Sequence, residues 1–223
     1  VPEEENFDQL STYKKELWAQ KTAYQRGPED SPEDFYERAG IWAEFGKIVC
    51  ISVGYFVIQK EERNFRIKTF FGDEKELLFE FKELLDKHFN LKTHLLCAHN
   101  GKEFDFPFLC RRMIVNEVSI PQALNLSGKK PWEVQHIDTM DLWKFGDKKN
   151  YTSLDLLTSL FNIDSSKSNI DGSQVNKVYY SDNQGLMEIV NYCQGDVIAT
   201  AQVYLKLKGL PVVKKENITR VDQ

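Results

Sequence analysis

Two acids in this 223-residue chain sit where a carboxylate could do more than solvate a surface. Asp105 closes the stretch Leu95-Leu96-Cys97-Ala98-His99-Asn100-Gly101-Lys102-Glu103-Phe104-Asp105. An apolar run of strand length stops at the turn dipeptide Asn100-Gly101, the acid follows, and Pro107 is placed to open a helix through Phe108-Leu109-Cys110-Arg111-Arg112. Two readings of Asp105 stand side by side. As an N-cap it would accept a hydrogen bond from a first-turn amide. As a metal ligand it would project from the end of the strand and need a second acid from elsewhere. Asp196 offers one. Over residues 186–205 apolar residues recur at helical spacing, and Tyr192 and Asp196, four apart, stack on one face with Ile189, Ala199 and Val203 close to the same stripe. A carboxylate on the apolar side of a helix is costly to desolvate unless something offsets it. A bound cation does so, and so does a loop amide or a nearby Lys or Arg.

Asn100-Gly101-Lys102-Glu103-Phe104-Asp105 resembles the second motif of the DEDD 3′-5′ exonucleases: Asn, a short spacer, Phe or Tyr, then Asp. Tyr192-Cys193-Gln194-Gly195-Asp196 resembles the third motif, Tyr-x-x-x-Asp, of their tyrosine subclass. The whole chain looks most like the predicted 3′-5′ exonucleases related to the proofreading domain of family-B DNA polymerases. The closer match is carried by His136-Ile137-Asp138-Thr139-Met140-Asp141-Leu142-Trp143, by Asp171-Gly172-Ser173-Gln174-Val175 and by the Tyr192 helix.

The resemblance implies a ribonuclease-H-like fold and hydrolysis of phosphodiester bonds at the 3′ end of single-stranded DNA, releasing nucleoside monophosphates. RNA is an alternative substrate, and a non-catalytic nucleic-acid-binding domain on the same fold is an alternative function. It implies two divalent cations, Mg²⁺ or Mn²⁺, held by Asp105, Asp196 and the two acids of a first motif, Asp-x-Glu. Hard oxygen ligands suit hard ions, and two such ions about 4 Å apart stabilise both the attacking and the leaving oxygen. Tyr192 would orient the attacking water. Asn100 and Phe104 would shape the floor beneath the terminal nucleotide, Phe104 by packing against a base or sugar. By residue type alone, Asn100 is equally a plain turn residue and Phe104 a core aromatic.

In the family the first motif ends the first strand, which would be expected immediately before Val1. Glu3, Glu4, Glu5 and Asp8 are no substitute, because they follow a Pro in a polar stretch with no apolar strand before them and read as a solvated face. That strand is central in the fold, and its loss would leave neighbouring strands with unpaired amides. The expectation is therefore a single exonuclease-like domain over 1–223 that has further residues before Val1, or a partner chain filling the gap.

The chain's bounds agree with a globular domain. Hydrophobic residues make up 41% and aromatics 13%, enough for one substantial core. A net charge of −5 argues against a broad nucleic-acid-coating surface but leaves room for a local grip on a strand. Cys50, Cys97, Cys110 and Cys193 form no Cys-x-x-Cys pair and read as reduced core residues of a cytoplasmic protein. No apolar run is long enough to span a bilayer, so no membrane association is expected. Protein partners and oligomeric state are open.

The elements that must position these acids follow in order. Residues 7–27 read as a helix with Leu10, Tyr13, Leu17 and Trp18 inward, and 33–40 as a short Pro-led helix. Residues 47–59 and 65–71 are β-branched and aromatic strands joined by the polar turn Glu61-Glu62-Arg63-Asn64. Asp73 caps a helix to Phe89 whose inner face is Leu77, Leu78, Phe81, Leu84 and Leu85. The strand 95–99 and its helix follow, with Arg111 and Arg112 facing solvent or a phosphate backbone. Residues 136–143 read as a strand with Asp138 and Asp141 near its end. Leu154, Leu157, Leu160 and Phe161 mark a helix capped by Thr152 or Ser153, 164–168 is a polar loop, and 181–185 is the turn before the last helix. The pattern indicates an α/β fold, a mixed sheet with helices on both faces.

Overall fold

A computed structural model of the chain describes residues 1–147, 149–163, 170, 172–181 and 185–221. Its strands are β1 (Cys50–Gln59), β2 (Glu62–Phe71), β3 (Cys97–Ala98), β4 (Ile137–Asp138) and β5 (Ile218–Arg220). Its α-helices are α1 (Thr12–Thr22), α2 (Glu74–His88), α3 (Asp105–Val115), α4 (Thr139–Lys144), α5 (Leu154–Leu160), α6 (Val175–Ser181) and α7 (Gly185–Leu207). The polar loop 164–168, Asp171 and most of the turn 181–185 lie outside the described residues.

The period-2 alternation of β1 and β2 decides where the helices go. Phe65 and Ile67 of β2 face Ala201 and Leu205 of α7, while Phe70, one position out of that phase, joins Ile51 of β1 against Leu77, Leu78, Phe81 and Leu85 of α2. The hairpin is therefore covered on one face by α7 and on the other by α2. Its register runs from Cys50 opposite Phe71 to Gln59 opposite Glu62. Lys60 and Glu61 alone make the connection, both left-handed with φ of 50° and 65°, the geometry whose twist suits a two-residue hairpin. No Gly or Asn marks that turn, which is why the sequence places it later.

The described strands form two ladders rather than one continuous sheet: β1-β2-β5, and β3 paired in parallel with β4. β5 carries no sequence signal: three residues with no alternating pattern add in parallel to β2 beside Phe65–Ile67. The expected strand 136–143 is also corrected. Only Ile137 and Asp138 are extended, because the Asp138 carboxylate accepts from the Met140 amide and so starts α4.

At the N-terminal side, the expected helix 7–27 breaks into a 3-10 turn at Phe7–Gln9 and α1, which Ser11 caps. Leu10 and Trp18 are buried as expected, but Tyr13 and Leu17 are exposed, 69% and 38%. Trp18 is enclosed by Phe35, Tyr36, Trp42 and Phe45, and its indole donates to the Pro32 carbonyl at 2.7 Å. The helix caps Asp73 and Ser153 take their expected places. The thiols are free, as expected, but Cys97 is exposed rather than in the core. Arg112 faces neither solvent nor phosphate: it is buried against Glu74. Among the described residues no helix is long and apolar enough to cross a membrane.

Candidate active site

Between β3 and α3 the chain makes one tight reversal. Asn100 adopts φ 60°, a left-handed conformation that Asn tolerates better than most residues. The Phe104 amide donates to the Asn100 carbonyl at 3.1 Å, and the Phe106 amide to the Gly101 carbonyl at 2.9 Å. These bonds bring the chain round so that α3 begins at Asp105, with Phe104 in the N-cap position and making no side-chain cap bond. Asp105 is thus not the capping residue, and the helix does not consume its carboxylate. Pro107 falls in the first turn, where its missing N–H costs nothing. Gly101 lies beneath the acid: a Cβ there would stand 3.4 Å from Asp105 Oδ2 and only 2.3 Å from the Ala98 Cβ.

α7 delivers the other acid. Its buried residues include Ile189, Ala199 and Val203, which seat the helix, and Tyr192 and Asp196 lie half-buried on the neighbouring stripe. The Tyr192 hydroxyl donates to the Asp196 carboxylate one turn away, and the same hydroxyl lies near Gly172.

The two acids meet electrostatically. Asp105 is open to solvent, yet the body of the protein lies close around it, and this desolvation, with the charge of Asp138 as a lesser cause, pushes its carboxyl up to about 6. Desolvation likewise raises Asp196 to about 6 against the opposing bond from Tyr192, and the charges of Asp155 and Asp105 add to the rise. Carboxylates held in this way gain from a cation. Asn100 is half-buried in the turn, and Phe104 is 42% exposed with its ring 5.7 Å from that of Phe108. So Phe104 is not a core aromatic.

Two acids were not singled out from the sequence as site residues. Asp155 sits in the first turn of α5, where an acid is ordinary, and only the fold turns it toward Asp196. Asp138 is 3% exposed, and its carboxylate accepts from the backbone amides of Asn100, Lys102 and Met140. A buried Asp beside a Thr has no periodic signature. His99 is held by Thr152, whose carbonyl takes its Nε2 proton at 2.9 Å, and by the Thr139 hydroxyl at 2.8 Å.

Among the described residues, no group of three or more His, Cys, Asp or Glu side chains is placed to hold a metal ion. Asp105 and Asp196 nevertheless fit a hard cation in kind. Magnesium is commonly held by one or two carboxylates and completes its shell with water and substrate phosphate.

Residues 41–217 match the sequence model of a family described as predicted 3′-5′ exonucleases related to the exonuclease domain of PolB. The chain belongs to that family. Asn100, Phe104, Asp105, Tyr192 and Asp196 all fall inside the span matched to this PolB-related exonuclease family. No curated protein and no solved structure matches the chain.

Proposed function

We propose that the protein is a metal-dependent 3′-5′ exonuclease on a ribonuclease-H-like fold, acting on single-stranded DNA in the cytoplasm and releasing nucleoside monophosphates. One observation carries this reading: the span matched to the exonuclease family contains both Asp105 and Asp196, and the fold brings these acids, from separate helices, within electrostatic reach of each other. The four free thiols support a reducing compartment.

In this reading the ionised carboxylates of Asp105 and Asp196, together with the two acids of a first Asp-x-Glu motif, would hold two cations, Mg²⁺ or Mn²⁺. When bound, these neutralise charge developing on the attacking and leaving oxygens. Tyr192 orients the attacking water while its hydroxyl keeps Asp196 in place. Water oxygen bonds to phosphorus as the bond from phosphorus to the 3′ oxygen of the penultimate nucleotide breaks, leaving a new 3′ hydroxyl and a nucleoside 5′-monophosphate. Phe104, with Phe108 beside it, offers an aromatic face to the terminal base or sugar, and Asn100 shapes the floor below.

The test follows 5′-labelled single-stranded DNA, and RNA in parallel, with Mg²⁺ or Mn²⁺. The assay uses residues 1–223 and, where the gene encodes residues before Val1, the longer product, each beside an Asp196→Ala control. Stepwise shortening from the 3′ end, abolished by EDTA and by Asp196→Ala, supports the reading. Binding of the strand without cleavage by any form would overturn it in favour of a non-catalytic nucleic-acid-binding domain.

A further inference from the structure

Asp138 makes more contacts than capping α4 requires. A cap needs the bond from the Met140 amide, which reaches Oδ1 at 3.0 Å. The other two bonds leave its own neighbourhood. The Asn100 amide donates to Oδ1 at 2.9 Å and the Lys102 amide to Oδ2 at 3.1 Å, both from the reversal between β3 and α3. All three partners are N–H donors, so the site calls for an acceptor on both oxygens. A carboxylate supplies that, whereas a carboxamide would set its own N–H₂ against one amide.

The reversal in turn places Asp105. Its Asn100 and Gly101 carbonyls take the amides of Phe104 and Phe106, the residues on either side of Asp105. Asp105 Oδ2 lies 3.4 Å from where a Cβ on Gly101 would stand, and Gly101 is the residue between the two amides that Asp138 holds. We propose that Asp138 is a positioning residue of the candidate site: its buried carboxylate fixes the backbone of Asn100 and Lys102 and, through that turn, the orientation of the Asp105 carboxylate. This rests on the exonuclease reading, in which Asp105 touches the reacting centre; Asp138 acts only through it. The parallel pairing of β3 and β4 brings the two together, since Ala98 stands opposite Asp138 and the chain turns immediately afterwards.

Two variants separate this role from capping. Asp138→Asn keeps one acceptor oxygen but opposes one of the amides. Asp138→Ser retains a good N-cap for the Met140 amide while releasing Asn100 and Lys102. Thr139→Val is the control: it loosens the contacts of Thr139 to His99 and to the Ala98 carbonyl without touching the turn amides.

Amide hydrogen exchange at Asn100 and Lys102 should speed up at least about tenfold in both Asp138 variants. The kcat for trimming a 5′-labelled strand should fall by about tenfold or more, with KM changed much less, because the loss is of orientation rather than of strand binding. Thr139→Val should leave kcat near that of the parent. Unchanged kcat in both Asp138 variants, or a fall in all three that follows their loss of thermal stability, would overturn the proposal. A parent protein that cleaves no strand removes the exonuclease reading itself. The anchoring role is then decided by exchange alone, and unchanged protection at Asn100 and Lys102 in both variants overturns it.

Discussion

Asp196 on α7 lies within electrostatic reach of Asp105 at the start of α3, and each carboxyl is raised to about 6, chiefly by desolvation. Both take up a proton more readily in the folded chain than in the unfolded one. Their cost to stability is therefore absent below the ordinary carboxylate pKa of about 4 and fully present above about 6. Without divalent cations, Asp105→Asn and Asp196→Asn should each stabilise the protein at pH 8. The gain should be about 1 kcal/mol, well under the full linkage value because water reaches both groups. Thermal melts from pH 3.5 to 8 check this, and the gain should vanish at the acid end.

The same desolvation predicts how the protein responds to metal. Mn²⁺ or Mg²⁺ should raise the melting temperature of the parent at pH 8, where both acids are ionised, and leave an Asp105→Asn/Asp196→Asn double variant unmoved. A shift of equal size in the double variant would place the cation elsewhere.

Tyr192→Phe removes the hydroxyl that donates to Asp196 and leaves the ring that packs α7. The expected result is a fall in kcat of about a hundredfold, the scale of losing one positioned hydrogen-bond donor, with thermal stability nearly unchanged. Single-turnover trimming of a labelled strand measures the first and a melt the second.

Glu74 is the partner of a buried guanidinium. Burial alone would raise its carboxyl, but the bonds from Arg112, the Ile48 amide and Asn116, with the Arg112 charge, hold it below the usual value. Arg112 Nε reaches Oε1 at 2.8 Å, and Arg112 Nη1 donates to the Ala43 carbonyl at 2.8 Å. Glu74→Ala leaves that cation unpaired and should cost about 3–5 kcal/mol. With a depressed folded pKa, the contribution of Glu74 is present at neutral pH and is lost as the pH falls through that value. Urea titrations of parent and variant at pH 7 and at pH 3 should show the difference shrinking in acid.

Gly54 makes room for Phe65. A Cβ on Gly54 would stand 2.1 Å from the Phe65 Cζ, and Phe65 is 3% exposed beneath α7. Gly54→Ala should destabilise by about 1–3 kcal/mol, the usual cost of overpacking. In combination with Phe65→Leu it should cost less than the sum of the two single changes, since the clash is shared.

Features with local or periodic causes are legible in the order of the residues. The apolar stripes of α2 and α7, the caps Asp73 and Ser153, the β1-β2 hairpin and the placing of Tyr192 and Asp196 on one helical face each follow from residues within a few positions of one another. So does the turn after β3, because Asn100-Gly101 is a turn signal in its own right. Folding settled the remainder. It added β5 to β2, cut the expected strand 136–143 to two residues, took Arg112 from the surface into a buried pair with Glu74, and joined Asp138 to the turn that carries Asp105. Those outcomes depend on hydrogen bonds and charge contacts between groups far apart in the chain. Their energies are set by desolvation and direction in space, and neither leaves a period or a neighbour pattern in the order of the residues.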